Sequence, residues 1–297
     1  MRKLILSLLL TLSTMFTLWA QHRETAEQAT KTNYVPDIML DSRFSYERQT
    51  SGHSAGFGGD GIILNICGDT GRHLSYAFSY FLHAVNGDDT SVFDATDWLT
   101  LTYDINNFAL TAGKHDLLIG SWEHDTYDLD NYTDITSFFT QRVNSSQWGI
   151  KAEWSNKLDN TTLALQVSNS PFSYAPKQAN LYSYAVAWLG SFSHYESFWT
   201  LNIWEFAPGY FLKSIAIGNK FNIGNISLTL DYMMRGAKLN QITEDITLTA
   251  LPSYTLCEKV RLFGKIGWEK CSDNLTYDFL GEYTSLSDKI EANSITI

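Results

Sequence analysis

The segment from residue 115 to residue 145 concentrates side chains that could bind ions or solutes. It begins at His115, and its aromatic residues include Trp122 and Tyr127. Its acids are Asp116, Glu123, Asp125, Asp128, Asp130 and Asp134. Loops of this length inside a compact domain are usually functional or disordered, and aromatic content argues against disorder. We therefore expect this segment to fold and to contact ions or solutes.

Metal binding and catalysis find little support in the same segment. The run EHD at 123 to 125 and His115 supply carboxylate and imidazole groups, but the acids lack the Asp-x-Asx-x-Asx-Gly order of a calcium loop. No H-E-x-x-H or P-loop motif occurs in the sequence. The sequence therefore predicts a non-enzymatic protein without a cofactor or a metal. Stacking of Trp122 and Tyr127 on a sugar ring is an alternative role.

Strands must position this segment, because the sequence around it alternates between apolar and polar residues. In TTLALQVSN, Leu163 and Leu165 share one face, and Gln166 and Ser168 share the other. A period of two indicates β-strands, whose successive side chains point to opposite faces. About thirteen such segments follow Val35, most of them near the nine to eleven residues with which a tilted strand crosses a bilayer.

The apolar face of these segments is rich in large amphipathic rings near the strand ends. Examples are Trp148, Trp154, Tyr182 and Trp188. A β-sandwich core prefers interlocking aliphatic side chains, whereas rings at strand ends are typical of a membrane–water interface. We therefore expect lipid to cover the apolar face.

The predicted connections alternate between short turns and mostly longer polar loops. The short ones are 68–71, 104–107, 155–160, 190–194, 221–225 and 257–260, and the others are 48–55, 86–96, 115–145, 169–180, 207–213 and 234–245. This alternation predicts an all-β fold, an antiparallel up-and-down transmembrane β-barrel of about 13–14 strands. An open edge in hydrocarbon costs several kcal/mol per unpaired group, so closure and an even strand number are expected. The alternative is an exported soluble β-protein.

The chain divides into an export signal, a polar lead and the predicted barrel. Residues 1–20 have the Arg-Lys start and apolar run of a secretory signal peptide, and residues 21–33 predict a periplasmic N-terminal segment. Residues 34–297 form the predicted outer-membrane barrel, with 115–145 as a long extracellular or constriction loop. The net charge of −11 argues against a nucleic-acid partner. Three widely spaced cysteines predict free thiols.

Charged residues on the polar face and in the long loop are the candidate pore-lining or constriction residues. They are Asp37, Asp41, Arg43, His115, Asp116, Trp122, Glu123, Asp125, Asp128, Asp130, Lys151 and Glu153. We expect the loop to fold into the barrel mouth and these charges to set ion preference. A solvated surface loop is the alternative. The predicted partners are membrane lipid and small hydrophilic solutes or ions.

Three stretches carry a resemblance to a known family. They are residues 94–125, in which Gly113 and Lys114 precede the long loop, SNSPF at 168–172, and IGNKFNIGNISLTLDYMMRG at 217–236. The chain resembles Bacteroidetes members of the phosphate-selective porin O and P family. The resemblance implies a homotrimeric outer-membrane channel of about sixteen strands for passive diffusion.

The chain departs from that family in its charge and at its end. The family's lumenal Lys and Arg clusters have no residue-by-residue match here, so cation-favouring or weakly selective conduction is as consistent with the sequence as anion preference. The chain stops at EANSITI without a terminal aromatic residue. The sequence therefore predicts a C-terminally truncated member, or a smaller barrel that closes with about fourteen strands. A non-conducting structural or adhesive barrel is the alternative function.

Overall fold

The computed structural model describes residues 35–48, 55–82, 93, 95–125, 143, 145–172, 181–236, 242, 245–257, 260–271, 276–278, 283–285 and 290–296. The predicted signal peptide and N-terminal segment lie outside these residues. None of the helices in the described ranges has the length and apolar character of a membrane-spanning segment. A short helix, α1 (Trp122–Asp125), has four residues.

Strands make up most of the described chain. Their bounds are β1 (Asp37–Arg48), β2 (Ala55–Asp69), β3 (Leu74–Phe81), β4 (Thr96–Ile105), β5 (Phe108–Asp116), β6 (Ser146–Ser155), β7 (Thr161–Asn169), β8 (Tyr182–Phe192) and β9 (Tyr195–Ala207). The remaining strands are β10 (Tyr210–Ile223), β11 (Ile226–Gly236), β12 (Asp245–Cys257), β13 (Val260–Phe263), β14 (Lys265–Cys271), β15 (Thr276–Asp278), β16 (Tyr283–Ser285) and β17 (Ile290–Thr296).

The strands of the main sheet are neighbours in chain order. The order runs from β1 to β12 and continues with β14 and β17, while β13 pairs with β12 and β15 pairs with β16 separately. The pairings for which a register is defined are all antiparallel. The predicted all-β class with an antiparallel up-and-down order is confirmed, with 14 strands in succession among the residues that the structure describes.

The chain divides into two compact units, and the first comprises residues 1–101. Its strands β1 and β2 pair from Asp37 opposite Cys67, with a register shift between Arg43 and Phe44. On one face Ile38 is 65% exposed, whereas on the other Asn65 is buried and donates to the Asp41 carboxylate at 2.7 Å.

The second unit, residues 102–297, shows the alternation most clearly. In β7, Leu163 and Leu165 are 49% and 59% exposed, whereas Gln166 and Ser168 are each 2% exposed. Water-soluble proteins usually bury the apolar side chains and expose the polar ones. In β7 the apolar side chains form the exposed face, and the small and polar side chains form the buried face.

Short turns join the strands at one end of the second unit. Asn106 and Asp159 hold positive φ angles of 52° and 53° in two of these turns. Asn and Asp tolerate this left-handed region better than other non-glycine residues, because their short side chains bond to the local backbone. In the predicted short connections at 104–107 and 155–160, the strands therefore end where an Asn or Asp residue adopts the turn conformation.

One predicted loop, 207–213, is wrong. Strand β9 continues to Ala207 and β10 begins at Tyr210, so Pro208 and Gly209 alone connect them. Gly209 has a φ of 79°, as the third residue of a type II turn requires, and its N–H donates to Glu205 Oε1 at 2.8 Å. The Pro-Gly pair is itself a turn signal, and aromatic residues around it extend the strands.

The cysteine prediction is confirmed where the structure describes the thiols. Cys67 is a buried free thiol in β2, and Cys257 is an exposed free thiol at the end of β12. The side chain of Cys271 lies outside the described part.

Candidate functional site

The first residues of the long predicted loop cross the buried face of the second unit. We call residues 117–123 the strap. From its start to its end, the strap bonds to Gln166 of β7, Thr200 of β9, Asp231 of β11 and Lys265 of β14. Because four strands form hydrogen bonds or an ion pair with this short segment, the strap is attached to the sheet along its whole length.

Gln166 holds the point at which the chain leaves β5. Its Nε2 donates to the Asp116 carbonyl at 2.7 Å and to His115 Nδ1 at 3.0 Å, and its Oε1 accepts from the Leu118 N–H at 2.9 Å. The backbone donor and the backbone acceptor together fix the orientation of the amide. The side chain of Gln166 therefore supplies the hydrogen bonds that a neighbouring strand would otherwise give to the backbone of residues 116 and 118.

The middle of the strap lies directly against strands β9 and β10. Thr200 Oγ1 donates to the Ile119 carbonyl at 2.7 Å. A Cβ atom at Gly218 would lie 2.9 Å from Trp122 Cδ1 and 2.9 Å from Asp231 Oδ1. Real Cβ atoms essentially never approach other heavy atoms that closely, so glycine at 218 is what permits this contact.

Asp231 binds the end of the strap. Its carboxylate accepts from the backbone N–H groups of Trp122 and Glu123, both at 2.9 Å, and from Ser121 Oγ at 3.1 Å. Thr249 Oγ1 lies 3.4 Å from the same carboxylate. The first N–H groups of a helix have no partner within the helix. Asp231, which lies on β11, therefore caps the N-terminus of α1. Its carboxylate is the acceptor for these N–H groups.

Two buried ion pairs lie on the same face. Lys265 Nζ bonds to Glu123 Oε1, and both side chains are 2% exposed. Arg235 Nη2 lies 3.2 Å from Glu269 Oε1, and Thr247 Oγ1 donates to that oxygen at 2.7 Å. Buried charges are tolerated in proteins when they are paired and hydrogen-bonded. The first pair therefore attaches the strap by charge as well as by backbone bonds.

Apolar contacts complete the packing of the strap. Leu117 and Ile119 belong to a buried cluster that also contains Trp204 and Leu212. Leu118 belongs to a second cluster, whose remaining buried members are Ala164, Ala185, Ala187 and Phe198. Small side chains on β7 and β8 leave space that the strap fills, and the large ring of Trp204 closes the space beside it.

The structure brings part of the predicted loop set together and leaves the rest apart. His115, Trp122 and Glu123 lie at the strap or beside it. Asp116 lies at the end of β5, where its carboxylate accepts from Ser146 Oγ at 3.0 Å. Asp125 ends α1 but its side chain is outside the described part. Asp128 and Asp130 lie wholly outside it.

The predicted strand charges lie on two separate elements. Asp37 and Asp41 are in β1, and Arg43 is described there by its backbone alone. Lys151 and Glu153 pair at 3.1 Å in β6. Among the side chains that the structure describes, no group of three His, Cys, Asp or Glu residues could hold a metal ion.

Sequence reasoning missed the residues that attach the strap. Gln166, Thr200, Asp231 and Lys265 sit on four different strands, far from the loop in the sequence. The available signal was that Gln166 and Asp231 fall on the polar face of strands whose other face is apolar. That signal gives the face of a residue but not its partner.

Comparisons with known proteins find structural likeness at low sequence identity. No protein-family model matches the chain, and no curated protein matches it. Among solved structures, the chain is similar to OmpT of Vibrio cholerae, with a TM-score of 0.49 and 9% identity over 79% of this chain and 75% of that one.

A second similar structure is the outer-membrane channel DcaP of Acinetobacter baumannii, with a TM-score of 0.44 and 13% identity over 89% of this chain and 96% of that one. A trimer form of in-vitro folded OmpT matches with a TM-score of 0.38 and 10% identity over 89% and 95%. At these values the fold assignment rests on the strand order and the faces of this chain itself.

Proposed function

We propose that this chain is an outer-membrane porin for passive diffusion of small hydrophilic solutes or ions, with the strap as its constriction. The observation that carries the proposal is the inverted distribution of side chains. Leu165 and its exposed neighbours are aliphatic, whereas the opposite face of β7 is small and polar, and the buried face of the second unit also holds ion pairs. Such an exposed apolar face is typical of the lipid-contacting side of a transmembrane barrel, and the polar face is typical of the side that lines an aqueous lumen.

Aromatic rings at the turn end of β8 to β10 support the membrane location. Trp188 and Trp199 lie with ring centroids 4.7 Å apart, and Tyr195 and Phe221 lie 5.3 Å apart. Asn219 Oδ1 accepts from Tyr195 OH at 2.7 Å and from Trp199 Nε1 at 3.1 Å. A polar group satisfied by aromatic donors beside an apolar surface fits the headgroup level of a bilayer.

Conductance of the refolded protein in a planar lipid bilayer tests the proposal. We expect discrete current steps in KCl solution after the protein is added. The absence of steps from protein that is folded and inserted would overturn the porin proposal. Recovery of the native protein from the periplasm and not from the outer-membrane fraction would favour the soluble alternative.

A non-conducting barrel is the second candidate, and one observation favours it. Trp204, Leu212 and Arg235 on the buried face are at most 1% exposed, so this part of the interior is filled by side chains. A barrel closed in this way would act as a structural or adhesive protein. The same bilayer experiment separates the two candidates, because a filled barrel inserts without current steps.

The finer parts of the proposal rest on the sequence. Residues 1–20 are the proposed signal peptide, residues 21–33 the periplasmic lead and residues 34–297 the barrel, with 115–145 as the loop that contains the strap. Membership of the phosphate-selective porin O and P family, an origin in Bacteroidetes and a homotrimer follow from the resemblance of the quoted motifs. Chemical cross-linking of the protein in native membranes tests the trimer.

Substitution of Leu165 by Arg tests the lipid-facing side. Arginine on the lipid face near the bilayer midplane costs about 2–4 kcal/mol, so we expect the free energy of unfolding from vesicles to fall by that amount. Leu158→Arg is the control, because Leu158 is exposed in the turn between β6 and β7. Urea titration of both variants in lipid vesicles measures the difference. Equal effects of the two substitutions would contradict lipid contact at Leu165.

A further inference from the structure

Four ion pairs described in the second unit differ sharply in their access to water. Their side-chain exposures are 2% and 2% for Lys265–Glu123, 1% and 7% for Arg235–Glu269, 15% and 18% for Lys151–Glu153, and 34% and 30% for Lys220–Glu196. Among these pairs, Lys220–Glu196 is the most accessible. Sequence reasoning did not single out either residue.

Lys220 and Glu196 lie next to the strap. They are directly opposite each other on β10 and β9, and Lys220 comes two residues after Gly218, which the strap contacts. Lys220 Nζ lies 5.4 Å from the ring centroid of Trp122, a distance typical of a cation–π contact. The pair therefore flanks the strap on the side toward the short turns.

The pair is held in place without being closed off from water. Its ammonium and carboxylate are 3.6 Å apart, and Glu196 also accepts from Asn222 Nδ2 at 3.0 Å. Buried, hydrogen-bonded pairs such as Lys265–Glu123 offer a passing ion no direct contact. An accessible charge acts on ions in the lumen over distances set by the Debye length, about 10 Å at 0.1 M salt.

We propose that Lys220 and Glu196 set the ion preference of the channel beside the strap, with Trp122 positioning the ammonium of Lys220. The inference rests on the proposed porin function and adds the residues that determine its selectivity. The buried carboxylate of Glu123 holds the strap in place and does not contact ions.

Reversal potentials across a KCl gradient near 0.1 M test the inference. We expect Lys220→Met to raise the K⁺/Cl⁻ permeability ratio about two- to threefold and Glu196→Gln to lower it by a similar factor. Lys220→Arg retains the charge and should keep the ratio of the unmodified protein. Near 1 M KCl the differences should shrink, because the Debye length falls to about 3 Å.

Lys157→Met is the matched control, because it removes the same charge from the exposed turn between β6 and β7. Current steps with a ratio unchanged by both Lys220→Met and Glu196→Gln would overturn this inference and leave the porin function standing. An equal shift from Lys157→Met would also overturn it. If the unmodified protein shows no current steps, the porin function and this inference fail together.

Discussion

Glu123→Gln should release the strap and raise the single-channel conductance. The substitution leaves the buried ammonium of Lys265 without its carboxylate partner, and breaking a buried pair in this way costs about 3–5 kcal/mol. The strap loses its charged attachment to β14, and the space it occupies opens to water. Single-channel recordings measure the conductance, and urea titration in lipid vesicles measures the free energy of unfolding.

Two further variants separate this effect from a general loss of charge. Glu123→Gln combined with Lys265→Met removes both charges, so we expect it to recover part of the lost stability. Glu196→Gln makes the same chemical change in an accessible pair, where ion pairs contribute about 0–1 kcal/mol. A loss of stability from Glu196→Gln as large as that from Glu123→Gln would contradict a special role for the buried pair.

Asp231→Ala should have the second large effect. It removes the acceptor for the N–H groups of Trp122 and Glu123 and for the hydroxyl of Ser121. Each buried donor left without a partner costs about 1–3 kcal/mol, so we expect a total loss of about 3 kcal/mol or more. Urea titration in lipid vesicles should show the loss of stability.

The controls for Asp231 use the same strand. Asp231→Asn keeps one carbonyl acceptor and should lose less stability than Asp231→Ala. Thr229→Ala lies on the same face, two residues nearer the turn, and should change stability by well under about 1 kcal/mol. If Asp231→Ala behaved like Thr229→Ala, the proposed cap of α1 would be wrong.

Local patterns were sufficient to predict the fold. In β7 the alternation of Leu163 and Leu165 with Gln166 gives both the strand and its two faces, because side chains alternate along any strand. Turn chemistry gives the connections in the same way, as Asn106 illustrates. The predicted loop at 207–213 is wrong because Pro208 and Gly209 form a two-residue turn and the strands extend up to it on both sides.

Contacts between distant residues explain why the site could be predicted only in part. The sequence indicates that the long loop is functional, and Trp122 and Glu123 do lie on the buried face. The acceptor for their N–H groups is Asp231, 108 positions beyond Glu123. Which strand supplies it depends on the register and curvature of many strands, and no local pattern encodes either. For the same reason, the sequence did not identify Lys265 and Lys220 as residues that contact the strap.

A nitroxide scan along β6 tests the central claim most directly. The three native cysteines are first replaced by serine. A single nitroxide label is then attached at one of residues 150 to 154 in each variant, and each labelled protein is refolded into lipid vesicles. Ile150 and Ala152 are on the exposed face, and Lys151 and Glu153 on the other. We expect labels at 150 and 152 to collide with oxygen dissolved in lipid, and labels at 151 and 153 to collide with a water-soluble nickel chelate. High nickel accessibility at both 150 and 152, equal to that of a label at exposed Leu158, would show that water covers this face and would contradict the account.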